Sequence, residues 1–263
     1  MTPSLAVHAL LAIARHTPLG RGQLRRYLTR IIEHNHKGPI DTTFHGVPIR
    51  LHMDNTTERK ALFGHYDEKE LAFIGKAVFA PRSVFLDIGA NAGLYTVCMS
   101  SWIGAGSRII AIEPNPRMLD RIDYNLSLSA EGRYSRGVEV SIERCAVGSH
   151  TGTSFLDLAN GFGSAHLTAT YSTESIRVPV RTLLDIARQH DIEKIDALKI
   201  DIEGYEDRAL VPFLSEAKPS MHPKVIVIEH THRANWNTDV ITLCESIGYR
   251  SQGRTRGNLL LSR

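Results

Sequence analysis

Residues 85–116 read FLDIGANAGLYTVCMSSWIGAGSRIIAIEPNP, and their pattern decides the fold class. Val84 to Ile88 is a short apolar run closed by Gly89, which predicts a strand buried on both faces. Ala92 to Trp102 predicts a helix, and Arg108 to Ile112 a second buried strand, stopped by Pro114. A strand, a helix and a strand in this order make a parallel pair joined by a crossover. In an open sheet built this way, ligands sit beyond the carboxyl ends of the strands, where strand order reverses. The loop Asp87-Ile88-Gly89-Ala90-Asn91-Ala92-Gly93 is therefore the place to look for a site.

The glycine spacing restricts the ligand. A dinucleotide loop, G-x-G-x-x-G counted from Gly89, needs glycine at 91 and 94, where Asn91 and Leu94 stand. Leu94 also breaks the phosphate loop G-x-x-x-x-G-K-[ST]. The bend admits a close ligand but lacks the usual cradle for phosphates. Glu113 ends the second strand about 20 residues on, where an acid accepts hydrogen bonds from ribose hydroxyls. A ribose without a pyrophosphate points to S-adenosylmethionine ahead of NAD.

Outward from this unit the alternation continues. Pro116 to Ser129 predicts a helix, Val138 to Ile142 a strand, Ile195 to Ile200 and Lys224 to Ile228 two more, with the helix Tyr205 to Glu216 between those two. Asn237 to Ile247 predicts a last helix, and Tyr249 to Ser262 a hairpin turning near Thr255–Gly257. The sum is an α/β protein with a mostly parallel sheet and helices on both faces. Residues 150–181 interrupt it with strand-like stretches Thr153 to Leu158 and Ile176 to Arg181 around the loop Asn160 to Ala165, a β insertion near the site. Upstream, residues 4–32 predict helix broken near Pro18–Gly20, residues 40–53 a hairpin about His45–Gly46, and residues 67–79 a helix. The division is an extension over 1–60 and a main domain over 61–263.

At 263 residues with a net charge of +3, composition excludes neither a core nor an ordinary soluble enzyme, and it gives no ground for nucleic-acid binding. The charge is uneven: residues 1–53 carry seven Lys/Arg against Glu33 and Asp41. In Gln23 to Glu33 the leucines and isoleucines take one side and Arg25, Arg26 and Arg30 the rest, either a solvated face or a contact with an acidic partner or a membrane surface. Cys98, Cys145 and Cys244 have no metal or disulfide spacing, which fits a reducing cytoplasm. The apolar run Leu5 to Ala14 is too short to span a bilayer and has no basic segment before it, so neither a transmembrane segment nor a signal peptide is expected.

FLDIGANAGLYT (85–96), IEPNP (112–116) and ALKIDIEGYE (197–206), with HYDEKEL (65–71), VPVRTLLDI (178–186) and VIVIEHTH (225–232), resemble the FkbM family of methyltransferases over residues 60–262. The resemblance implies a Rossmann-like class I methyltransferase fold with a seven-stranded sheet, S-adenosylmethionine as donor, and methylation chiefly of hydroxyl oxygens on small molecules or sugars. By match, Asp87, Gly89, Asn91 and Gly93 form the loop on the methionine side, Glu113 the ribose acid, and Arg144 to Val147, with Ala146, the adenine contact.

A hydroxyl acceptor needs alignment and a proton acceptor. The tips of the fourth and fifth strands offer Asp201, Glu203, Glu229 and His230. His230 is the expected base, because an imidazole titrates near neutrality. Asp201 would hold the donor's ammonium or orient His230, and Glu203 and Glu229 would bind acceptor hydroxyls. The same four residues offer oxygen-rich ligands to Mg²⁺. Lys199 shares strand parity with Asp201 and needs an acid partner if buried. Two other functions compete: an NAD-linked oxidoreductase, and a nucleoside-binding module without catalysis.

Overall fold

The computed structural model describes residues 5–17, 22–64, 66–130, 136–158, 166–168 and 171–263. The break at Pro18–Gly20, His65 and the loop Asn160 to Ala165 lie outside them. In chain order the elements are α1 (Leu5–His16), α2 (Gly22–Asn35), β1 (Ile40–Phe44), β2 (Val47–Leu51), α3 (Thr56–Leu62), α4 (Glu68–Val78), β3 (Val84–Ile88), α5 (Leu94–Trp102), β4 (Arg108–Ile112), α6 (Pro116–Leu128) and β5 (Glu139–Glu143). There follow β6 (Ala146–Val147), β7 (Gly152–Asp157), β8 (His166–Thr168), β9 (Ser175–Arg181), α7 (Leu183–Gln189), β10 (Ala197–Ile200), α8 (Glu206–Glu216), β11 (Val225–Glu229), α9 (Val240–Ser246), β12 (Arg250–Arg254) and β13 (Asn258–Ser262).

The main sheet has seven strands in the order β12-β13-β11-β10-β3-β4-β5. Strands β5, β4, β3, β10 and β11 are parallel, and β13 returns antiparallel to β11. Order reverses between β3 and β10, so the crevice expected from the sequence opens at the tips of those two strands. Alternate residues of each strand feed two cores. Phe85, Ala197 and Val227 pack toward α4 and α5, whereas Leu86, Leu198 and Ile228 pack toward α7, α8 and α9. Val7, Leu11, Ala14 and Ile32 of the first two helices are buried in the former cluster, so the N-terminal extension shares the sheet's core.

Several boundaries move for local reasons. The helix expected from Ala92 starts at Leu94, because Gly93 at its N-terminal end is left-handed. The last helix starts at Val240, where the Asp239 side chain accepts the Ile241 N–H. Thr56–Leu62 and Leu183–Gln189 are helices that the hydrophobic pattern does not announce. Each is only seven residues, too short for a periodic pattern, and each is set by a capping side chain: Asn55 accepts from Thr57 and Glu58, and Thr182 from Asp185. The insertion supplies three strands rather than two, and with β6 just before it they form a four-stranded sheet, β6-β9-β7-β8.

Candidate active site

Two adjoining hollows open at the reversal point. The inner crevice is lined by Gly89, Ala90 and Asn91 of the glycine bend, Glu113 and Pro114 after β4, Cys145 to Val147 at β6, Leu156 and His166 of the insertion, Lys199 of β10, and Asp201 to Glu203 after it. The outer groove runs from there past Asp67, Glu70, Glu229 and His232 to the Thr255–Asn258 turn. Thr57, Tyr66, Asp201 and Glu203 line both hollows.

Glu113 is the best-defined side chain of the crevice. Its carboxylate accepts the Asn91 N–H at 2.8 Å on one oxygen and the Asn115 N–H at 2.9 Å on the other. Asn91 reaches it because its own backbone is left-handed, φ 51°, a conformation asparagine tolerates. The Asn91 Oδ1 in turn accepts from Asn55 Nδ2 and the Ala92 N–H, which locks the bend. Burial pushes the Glu113 carboxyl up to about 7, partly offset by the two backbone N–H donors.

The other members of the glycine bend are set in different ways. Asp87 is fully buried behind the crevice wall. It accepts the Thr96 hydroxyl at 2.6 Å and faces Lys199 Nζ at 3.9 Å, its register partner across β3 and β10. Asp87 is thus the acid partner that buried Lys199 requires, and Lys199 donates to the Gly89 carbonyl at 2.7 Å. A Cβ on Gly89 would lie 2.0 Å from the Asp201 carbonyl oxygen, so the neighbouring strand demands this glycine. Gly93, at φ 82°, meets Ile122 of α6 and sits outside the crevice lining. Of the six residues assigned to the cofactor, Gly89, Asn91, Glu113 and Ala146 line the crevice. Asp87 and Gly93 support it from behind.

At the mouth, Asp201, Glu203 and Glu229 come together as expected, but His230 does not join them. Successive strand residues point to opposite sides, and with Glu229 turned to the groove, His230 turns away, its Nε2 3.2 Å from Arg254 Nε. His232 stands in its place, with Nδ1 3.4 Å from Glu203 Oε2 and 3.5 Å from Glu229 Oε2. The four donors offered to Mg²⁺ therefore do not assemble. Asp201, Glu206 and Glu229 do bring oxygens within 4.8 Å of one another, but Glu206 is committed to the loop. It accepts from the Ile202 and Gly204 N–H groups on one oxygen and from Trp236 on the other. His230→Ala is expected to keep wild-type turnover and cofactor affinity, measured with any accepted substrate; a loss of turnover alone would return His230 to the mechanism.

Glu203 has the most unusual setting. Its backbone is left-handed at φ 56° and Gly204 follows at φ 95°, a turn held by Glu206. Burial pushes its carboxyl up to about 7; Asp201 adds repulsion and His232 draws it back down. Asp67 is a similar case beside the groove. It too is left-handed, it accepts the Tyr95 hydroxyl, and burial with repulsion from Glu70 pushes it up to about 6. Tyr66, Asp67 and Tyr95 also line the hollows without being singled out by the sequence; Tyr66 and Asp67 lie in the HYDEKEL stretch and Tyr95 in FLDIGANAGLYT.

A sheet of this order, with a crevice at its reversal that carries a glycine bend and a buried acid but no phosphate cradle, defines a nucleoside-binding transferase fold of class I type. Residues 87–251 match the family described as methyltransferase FkbM domain. The chain belongs to that family and is an S-adenosylmethionine-dependent methyltransferase, which removes the oxidoreductase alternative. No curated protein matches the sequence. Among solved structures it is similar to precorrin-6y C5,15-methyltransferase from Geobacter metallireducens GS-15 (15% identity, 74% of this chain and 87% of that one, TM-score 0.40). It is also similar to a methyltransferase from Geobacter sulfurreducens (15%, 75% and 79%, 0.42) and to ribosomal protein L11 methylase from Lactobacillus delbrueckii subsp. bulgaricus (11%, 74% and 77%, 0.39). Among the described residues no helix is long and apolar enough to cross a membrane.

Proposed function

We propose that the enzyme methylates a hydroxyl oxygen of a small polyhydroxylated molecule or sugar, held in the outer groove by the main domain of residues 61–263 together with Gly22, Arg25, Thr56, Thr57 and Lys60 of the extension. The observation that carries this reading is that Asp201 and Glu203, with Thr57 and Tyr66, line both hollows, so the boundary between donor and acceptor is built from carboxylates and hydroxyls. Among the described residues no aliphatic side chain lines the outer groove. Its wall offers hydroxyls, carboxylates, an amide, the His232 imidazole and the cations Arg25, Lys60, Lys69 and Arg256, polar groups that pair with a ring of hydroxyls and have little to offer an apolar acceptor.

The inner crevice fits the donor. Glu113 would take the ribose hydroxyls, Ala146 and Val147 the adenine, and Asp201 the α-ammonium. When bound, the donor supplies a methyl group already activated by its sulfonium charge. What remains for the chain is to align the acceptor oxygen and remove its proton. Glu203 would remove the proton: its membership of both hollows supports this, and a carboxyl near 7 is matched to proton transfer at neutral pH. His232, against Glu203 and Glu229, is placed to steady the charge that Glu203 carries before it takes the proton.

The test is to incubate the enzyme with methyl-labelled donor and an extract of its source, then to identify the labelled bond. Label in an alkali-stable ether of a polyhydroxylated compound is expected. Label on nitrogen, or in an ester that alkali cleaves, would overturn the assignment.

A further inference from the structure

Helix α2 shows a feature that catalysis does not use. It turns Leu28 and Ile32 inward, the latter fully buried. Along an adjacent stripe it leaves Leu24, Tyr27 and Ile31 exposed, at 48%, 62% and 45%. Spacings of three and four place these three on one side of a helix. A helix that only closed a core would keep that side polar. Beside the stripe, Arg26 and Arg30 are exposed. Glu33 is the only acidic residue of the helix, against three arginines.

We infer that this outer side of α2 docks on an anionic lipid surface. An exposed aliphatic and aromatic stripe bordered by arginines is the pattern of a helix that lies in the interfacial plane, with its apolar side chains among the acyl chains and its cations at the headgroups. Arginine suits the border because its stem stays with the apolar phase while the guanidinium reaches the phosphates. Charge argues against a second copy of the chain as the occupant. Two-fold pairing of this face would set Arg26 and Arg30 against the same cations, whereas an anionic membrane pairs both. Gly22 and Arg25, at the start of the same helix, line the outer groove, so the docked enzyme would hold its acceptor groove beside the lipid surface.

The test is sedimentation of the full chain with vesicles of phosphatidylcholine, with and without phosphatidylglycerol. Binding is expected on the anionic vesicles and to weaken with salt. A basic residue near such a surface is worth about fivefold in partitioning, so Arg26→Gln with Arg30→Gln should lower binding by about 25-fold. Tyr27→Ser with Ile31→Ser should lower it on anionic vesicles by at least about tenfold through lost apolar burial. All four side chains are exposed, so the variants should fold, and circular dichroism checks this. Equal binding to neutral vesicles, or binding indifferent to Tyr27 and Ile31, would overturn the inference. So would a concentration-dependent dimer that Tyr27→Ser with Ile31→Ser dissolves. None of these readouts depends on the identity of the acceptor.

Discussion

Glu113→Ala is expected to weaken S-adenosylmethionine binding by about a hundredfold, close to 3 kcal/mol. The size follows from how the carboxylate is held. It is 7% exposed, and its two oxygens are aimed by the N–H groups of Asn91 and Asn115. A ribose would therefore meet an acceptor that is already ordered, and hydrogen bonds to a charged partner are worth about 1.5–3 kcal/mol each. Binding should also depend on pH through this group. With the free carboxyl near 7 and the ionised form the better acceptor, affinity should rise as pH approaches 7 and level off above it. The sign for stability is opposite. A carboxyl raised by burial contributes stability that is complete below its ordinary value and lost as pH rises through about 7, so the ligand-free enzyme loses stability where it gains affinity. Glu113→Gln, which does not titrate, should show flat affinity across the same range. Calorimetry measures both; wild-type affinity in Glu113→Ala would remove the ribose assignment.

The parts of the fold visible in the sequence are those set by continuous apolar runs. Strands β3, β4, β10 and β11 are buried at nearly every position, so their sequences read as hydrophobic stretches bounded by Gly, Pro or acid, broken inside only by the buried pair Asp87 and Lys199. Glu113 was visible for the same reason: it ends such a run at a fixed distance from a glycine bend. Side-chain direction beyond a strand end was not visible. His230 and His232 both follow β11; alternation after Glu229 turns His230 toward Arg254, and the turn beyond the strand brings His232 back against Glu203. Gly89 and Gly93 were legible as special positions, but not what makes them so, since Asp201 and Ile122 are brought to them by tertiary packing. Tyr66 and Asp67 reach the hollows from the turn before α4, and Tyr95 reaches the inner crevice from α5; nothing local in the sequence ties these segments to the β10 tip.

Glu203→Gln is expected to lower kcat by about a hundredfold to ten-thousandfold, the range for removing a positioned proton acceptor, while cofactor affinity stays within about twofold. The amide keeps size and hydrogen bonding but cannot take the proton. The wild-type rate should rise with pH through about 7 and then hold, because burial and the Asp201 charge lift the Glu203 carboxyl. His232→Gln discriminates a base from a bystander. His232 is the neighbour that pulls Glu203 down, so its removal should move the midpoint of the rate profile to higher pH while the plateau survives. A structural role for Glu203 would show as lost thermal stability and unchanged midpoints. Catalysis predicts the reverse: the amide keeps the side chain's size on an unchanged backbone, so thermal stability holds while the midpoint near 7 disappears from the rate profile. If Glu203→Gln turns over at the wild-type rate, proton removal belongs to another group on the groove, and Asp67, near 6 beside Tyr95, is the next to replace.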